Sequence, residues 1–402
     1  MNPSTKLLPD VTAQPAAALG RLLPGLGVAA IDTPALVLDL DAMERNLTRM
    51  AEFAKKHKVR WRPHAKLHKS AALARLQMRA GAVGVCVQKT AEAELLAAGG
   101  VHNIYISNEV IAPAKLERVA ALAHLLHSAS GRLAIAVDSV QGVQRLAAAM
   151  ANLPQAGTSI DVFVEIDVGQ GRCGVAPGAP AVVLAQEIDQ HPALVFAGLQ
   201  AYHGSAQHLR TPRERREAIA RAVAAVTLTR QQIESVGIPV ALVTGAGTGT
   251  FALEAASGVY GELQPGSFMF MDADYAQNER DPAQPRFEHA LFIKTQVIST
   301  SASHVVCDAG HKSHSIDSGM PLVHALSGGA ALTYGNGGDE HGILHAAAPG
   351  GPLPVLGETL WLIPGHCDPT VNLHDFLIGV RGGLMHGTVE RVIPIDARGA
   401  LT

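Results

Sequence analysis

The sequence predicts a (β/α)8 barrel of the TIM type followed by an all-β domain. Two observations carry that expectation. From residue 59 onward, short apolar runs alternate with stretches of helical periodicity, and eight such runs precede residue 272. After Asp272 the long helical patterns stop, and short β-rich segments separated by Gly or Pro replace them. Alternation of the first kind implies parallel strands joined by crossover helices, and eight repeats suit a closed barrel. A doubly wound open sheet is the competing arrangement.

Taken in order, residues 1–30 contain Pro9, Pro15 and Pro24 and lack a charged start followed by an apolar core. They read as a loose N-terminal extension rather than a signal peptide. Residues 33–40 read as a strand outside the count of eight, free to join the later β domain. Asp41 with Glu44 makes a capping-box-like start to a helix whose apolar face is Met43, Leu47, Met50 and Ala54. The barrel, 31–271, then takes its strands from 59–62, 83–87, 103–107, 133–137, 160–166, 195–201, 240–244 and 267–271. Clear helices fall at 70–79, 113–129 and 211–236. The β domain, 272–402, is built from 292–300, 303–308, 342–347, 359–363, 376–380 and 388–395.

Composition excludes several function classes. A chain of 402 residues, 48% hydrophobic and 17% charged, is long enough for a large core and two domains. The formal net charge of -3 leaves no basic footprint for nucleic acid, and 4% aromatic residues leave little for base stacking. No apolar run approaches the ~18 residues of a membrane span. The four cysteines, Cys86, Cys173, Cys307 and Cys367, show no paired spacing, which suits a reducing, cytoplasmic compartment.

The polar, glycine-rich segments fall where such a barrel places its active site, at the C-terminal ends of the strands. Lys66, in Arg62-Pro63-His64-Ala65-Lys66-Leu67-His68-Lys69, follows the first strand. Desolvation there is expected to lower its pKa and to prepare a neutral amine for Schiff-base chemistry; a surface basic turn is the plainer alternative. Gly245, Gly247, Thr248 and Gly249 follow the seventh strand, where barrels of this kind bind phosphate, although a tight turn has the same composition. A Schiff-base lysine combined with a phosphate handle points to pyridoxal 5'-phosphate. In the β domain, His366 and Asp368 stand two residues apart after an apolar run. If that segment is extended, both face one side and can grip Mn2+, Mg2+ or Zn2+, with Cys367 facing the other way. A polar turn capped by Asp368 ahead of Pro369 is the alternative.

Several long segments, in this order, resemble the fold-type III pyridoxal-phosphate enzymes of the D-threonine aldolase and D-serine dehydratase group. They are Thr33 to Leu40, Arg62 to Lys69, Ile106 to Val110, Asp167 to Gly174, Gly198 to Gly204, Asp339 to Gly342 and His366 to Asp375. The resemblance spans nearly the whole chain, from Asp32 to Gly399. It implies an alanine-racemase-like barrel, a cofactor carried on Lys66 and a divalent metal on His366 and Asp368. It also implies Arg172 and Tyr202 beside the cofactor ring, Gln264 near the pyridine nitrogen, Asp339 behind a metal-bound water, and His208 at the substrate hydroxyl. In that group, His-x-Cys resembles the dehydratases and His-x-Asp the aldolases, so His366-Cys367-Asp368 implies aldol cleavage of a D-3-hydroxy amino acid to glycine and an aldehyde. His311 departs from the leucine usual in the group, which bears on substrate preference. D-threonine is the expected substrate. 3-Hydroxyaspartate, a dehydratase of D-serine or 3-hydroxyaspartate, an alanine-type racemase and a non-enzymatic cofactor carrier are the alternatives. A homodimer is expected, with no nucleic-acid or membrane partner.

Overall fold

The computed structural model describes residues 24–153, 157–324 and 331–402. Two sheets organise the chain. The first has eight parallel strands: β2 (Arg60–Trp61), β3 (Val85–Val87), β4 (Asn103–Ile106), β5 (Arg132–Val137), β6 (Ile160–Glu165), β7 (Leu194–Ala201), β8 (Val243–Gly245) and β9 (Glu262–Leu263). Their order, β2-β9-β8-β7-β6-β5-β4-β3, is closed on itself by a parallel bridge between His64 and Cys86 and a 2.9 Å bond from Cys86 N to Pro63 O. The barrel is therefore present. Its eighth strand is a correction: residues 267–271 form no strand, and the pair Glu262–Leu263, one charged and one apolar, takes that place. Ser267–Met269 is a 3-10 turn, and Phe268, Met269 and Phe270 are fully buried in the core shared with the helix Leu40–His57. Burial of an apolar run does not by itself distinguish a strand from a packed turn.

Helices cover the outside of the barrel. Their apolar faces meet the outward residues of the strands in one continuous core that includes Val85, Ile104, Ile135, Val164 and Leu199. The barrel interior is different. Cys86, Tyr105, Ala134, Ala136 and Phe163 fill part of it. Nearer β8 and β9 it is polar, with Arg62 donating to Glu262 at 3.1 Å and Thr244 donating to the same carboxylate at 3.0 Å.

The second sheet is formed by β1 (Ala35–Asp39) together with β10 (Leu291–Thr300), β11 (Val305–Cys307), β12 (Leu322–Val323), β13 (Leu332–Asn336), β14 (Gly342–Ala346), β15 (Thr359–Ile363), β16 (Phe376–Arg381) and β17 (Thr388–Pro394). The early strand does join it. β1 lies antiparallel to β10 and parallel to β16, pairing Val37 with Phe292 and with Ile378. β12 and β13 were not expected from the sequence.

Two further expectations are corrected locally. The first helix is capped by Asp39, whose carboxylate accepts from Ala42 N at 3.0 Å. Asp41 and Glu44 instead clamp Arg381 of β16, at 2.9 and 2.7 Å. Of the N-terminal extension, residues 1–23 lie outside the described residues. Residues 24–30 are docked rather than loose: Val28 is buried, Gly25 N donates to Val389 O at 2.8 Å, and Lys294 Nζ donates to Val28 O at 3.0 Å.

Candidate active site

A cavity of about 480 Å3 opens at the C-terminal ends of the barrel strands. Lys66, Arg172, Tyr202, His208, Gly247, Thr248, Gln264, His366 and Asp368 all line it. Two larger hollows, of 840 and 850 Å3, contain neither Lys66 nor His366. The smaller cavity is the candidate site because titratable groups from both sheets converge on it.

Lys66 is aimed by its own segment. After β2 the chain makes a 3-10 turn at Ala65–Leu67, capped by His64, whose Nδ1 accepts from Lys66 N at 3.4 Å. The other ring nitrogen of His64 lies 2.9 Å from Gln88 Nε2. Burial, reinforced by the Lys66 charge, pushes the pKa of His64 well down, so it stands as a neutral prop. Lys66 Nζ lies 3.2 Å from Asp368 Oδ2. That carboxylate holds the pKa of Lys66 above its ordinary range, against desolvation, which reverses the expected lowering. The neighbouring Lys69 is occupied elsewhere, 2.9 Å from Glu92 in a buried pair.

The glycine loop contributes less than its composition suggests. Gly247 and Thr248 line the cavity, joined by Gly204, Ser205, Gly266 and Ser267 from neighbouring turns. Gly245 belongs to β8, where a Cβ would come within 2.5 Å of Ala201 O. Gly249 spends its N–H on Gln207 Oε1 at 2.9 Å. Neither lines the cavity, so the anion cradle is spread over three turns instead of one. Three pairs of small residues, with hydroxyls and close backbone, fit a phosphate.

One wall is a neutral hydrogen-bonded chain. Gln264 Nε2 donates to Gln200 Oε1 at 2.9 Å and to Thr244 Oγ1 at 2.8 Å, while Tyr105 OH donates to Gln200 at 3.1 Å. Gln264 thus offers the cavity an amide and no charge. Arg172 lies 5.8 Å from the centre of the Tyr202 ring, within cation–π range.

His366 and Asp368 approach the cavity from the second sheet, although not along an extended segment. Cys367–Val371 is a short helix with His366 as its N-cap residue and Pro369 in its first turn, where proline is tolerated. Helical winding still leaves His366 and Asp368 on the cavity and turns Cys367 inward. Its thiol is fully buried and 3.4 Å from Met271 O. Asp368 Oδ1 is buried without a donor among the described residues. An imidazole beside a carboxylate oxygen that lacks a donor fits a divalent cation. His366 Nδ1 is held by Asp317 at 2.8 Å, the carboxylate–histidine pairing that orients metal-bound imidazoles. Burial opposes protonation of His366, but Asp368 and Asp317 outweigh it and raise its pKa.

His208 ends the 3-10 turn Ser205–His208, and its Nδ1 lies 2.6 Å from Asp274 Oδ2. Arg210 donates to the backbone carbonyl of the same aspartate at 2.8 Å. Sequence reasoning does not single out Asp274, because no spacing or motif links it to His208, 66 residues earlier. Asp339 is the residue the fold does not deliver. It is 60% exposed in the turn between β13 and β14 and pairs with His311 at 2.8 Å and Lys312 at 3.7 Å. None of these three lines the cavity.

Comparison with known proteins gives the family. Residues 38–274 match the family described as alanine racemase, N-terminal domain, and residues 290–380 match the putative serine dehydratase domain. The chain is 45% identical to a D-threonine aldolase of Arthrobacter sp, over 94% of this chain and 95% of that one. The chain belongs to the D-threonine aldolase family. A 3-hydroxy-D-aspartate aldolase of Paracoccus denitrificans (strain Pd 1222) is 42% identical, again over 94% and 95%. Among solved structures, the D-threonine aldolase from Filomicrobium marinum superposes with a TM-score of 0.89 at 48% identity, covering 95% of this chain and 100% of that one. The family's two-part build, with a racemase-type barrel and a dehydratase-type β domain, is the division that brings Lys66 and His366 to one cavity.

Proposed function

We propose that the chain is a carbon–carbon lyase that cleaves D-3-hydroxy amino acids, D-threonine above all, to glycine and an aldehyde. The observation that carries this reading is the meeting of Lys66, His208 and the His366/Asp368 pair in one cavity. A Schiff-base amine, a proton acceptor and a cation site are what a retro-aldol cleavage needs at the two ends of the breaking bond. Pyridoxal phosphate, when bound, supplies the electron sink for the Cα–Cβ cleavage. Mn2+ or Mg2+, with Zn2+ as a further candidate, would sit on His366 and Asp368 and supply Lewis-acid polarisation of the β-hydroxyl.

The chain's own residues do the rest. Lys66 would carry the cofactor through its amine. Gly247 and Thr248, with Gly204 and Ser267, would hold the phosphate, and Gln264 would offer the ring a neutral amide. Tyr202 and Arg172 would flank the ring. His208 takes the β-hydroxyl proton, and Asp274 holds its Nδ1 so that Nε2 is presented to the substrate. Asp339 has no step. His311 and Lys312, which would answer a second substrate carboxylate, are paired with Asp339 and Glu340 outside the cavity, which favours D-threonine over 3-hydroxyaspartate. The barrel thus serves the cofactor, and the β domain serves the metal.

The test is a substrate panel with aldehyde, glycine and keto acid measured separately. D-threonine is expected to yield acetaldehyde and glycine, with activity lost on chelation and restored by Mn2+. Mainly keto acid and ammonia would replace the aldolase reading with a dehydratase. Faster release of glyoxylate from 3-hydroxy-D-aspartate would move the substrate preference. A cytoplasmic homodimer completes the proposal. Four free cysteines support the compartment, and light scattering tests the dimer.

A further inference from the structure

The same rim of the barrel carries a second group of ligating side chains that the proposed reaction does not use. Glu109 follows β4, Asp138 follows β5, Glu165 closes β6, and Cys173 lies in the loop beyond it. One donor atom from each of Glu109, Asp138 and Cys173 lies within 4.8 Å of the others. Around a tetrahedral ion with bonds of about 2.0–2.3 Å, donors stand roughly 3.5 Å apart. Side-chain rotation spans that difference.

Two further observations point to a ligand. Both carboxylate oxygens of Glu109 are buried, and among the described residues no N–H or hydroxyl group reaches either; the neighbouring Glu165 carboxyl does. Glu165, only 4% exposed, lies with its carboxyl against that of Glu109. Burial and that neighbour push the Glu165 pKa up to about 9. Among the described residues, no lysine or arginine forms an ion pair with Glu109, Asp138 or Glu165. A cavity of about 120 Å3 reaches Glu109 from the side. Lys89 and Lys115 also line it, and neither pairs with Glu109. Buried acids in contact are held together at neutral pH by a shared proton, and a bound divalent ion can take that proton's place.

We propose that Glu109, Asp138 and Cys173, backed by Glu165, form a second divalent-cation site, separate from His366 and Asp368. A thiolate among carboxylates selects a borderline ion of the Zn2+ class over Mg2+ or Ca2+. The ion ties together the ends of three barrel strands. Because Cys173 is bonded to Arg172, it also fixes the loop that presents Arg172 to the cavity. The site is structural, and it stands whether or not the aldolase reading does.

The experiment uses the full chain carrying His366→Ala and Asp368→Ala, which removes the other site. After chelation, this protein is titrated with Zn2+ or Co2+ alone, and bound metal is counted after gel filtration. One equivalent per chain is expected, and Co2+ should give a near-ultraviolet thiolate-to-metal band. Adding Glu109→Gln or Cys173→Ser should abolish both signals. To guard against misfolding, the single variant Glu109→Gln is also made in the otherwise native chain, where it should lower metal content by one equivalent with the circular dichroism unchanged. Absence of bound ion and of the cobalt band from the His366→Ala, Asp368→Ala protein, folded by circular dichroism, overturns the site. In that case Glu109 and Glu165 share a proton. An ion that binds there but survives both Glu109→Gln and Cys173→Ser overturns it equally.

Discussion

At the scale of single residues, the chemistry rests on Lys66 and on what holds its neighbours. Borohydride reduction of the holoenzyme is expected to fix the cofactor on Lys66, while Lys66→Ala should leave no label. Recovery of the label on Lys69 or Lys89 would overturn the assignment. Lys69 is an unsuitable carrier because its amine is already committed to Glu92. His366→Ala and Asp368→Ala should each lose catalytic metal and turnover while retaining the cofactor's absorbance, since the two attachment points lie on different sheets. Asp274→Asn tests orientation. With the 2.6 Å contact to His208 weakened, kcat should fall by up to the roughly 10²–10⁴-fold of a general-base contribution, with little change in KM. An unchanged kcat would remove His208 from the proton path. Asp274 itself shows why the sequence is mute here: its partner lies 66 residues away, and only the fold brings the two together.

At the scale of elements, periodicity made most of the barrel legible, and the misreadings share a cause. Residues 267–271 read as a strand because Phe268, Met269 and Phe270 are apolar and buried, yet they pack as a turn. The true eighth strand was hidden because Glu262 is charged, and a charge in a barrel interior contradicts the usual pattern. Glu262 is tolerated because Arg62 meets it at 3.1 Å and Arg60 at 2.9 Å. Glu262→Ala should therefore cost about 3–5 kcal/mol in chemical denaturation, because it strands the buried Arg62. A loss under ~1 kcal/mol would mean that the pair is incidental. Gly198 is a second structural necessity. It sits in β7 at φ 138°, where the pairing with β6 shifts register, and a Cβ there would lie 1.8 Å from Leu242 O. Gly198→Ala should break the β7–β8 seam and yield little soluble protein, whereas free accumulation of the variant would show that the seam gives way easily.

Over the whole molecule, stability should carry a pH signature from Glu254. Its carboxyl is buried, accepts from Thr250 Oγ1 at 2.7 Å, and is pushed by burial from 4.5 up to about 7. Because the folded-state pKa is raised, the stabilising difference is complete below the unfolded value and is lost as pH rises through the folded one. Between pH 4.5 and 7 that loss is on the order of 3 kcal/mol, taking the shift at 1.36 kcal/mol per pKa unit. Glu254→Gln keeps an acceptor for Thr250 and lacks the slope. Its melting temperature should therefore rise relative to the parent protein from pH 5 to pH 8. Parallel curves would show that Glu254 titrates normally.

The placement of β1 also has a consequence for how the chain is made. Leu36, Val37 and Leu38 leave the ribosome ahead of the entire barrel, yet among the described residues β1 pairs with β10 and β16 alone. At about 5–20 residues per second, the strand waits on the order of 20–70 s for its last partner. During that interval it is a naked apolar edge, open to any strand of a neighbouring nascent chain. A polypeptide halted at residue 290 should therefore remain bound to chaperones or aggregate, even with every barrel strand already synthesised.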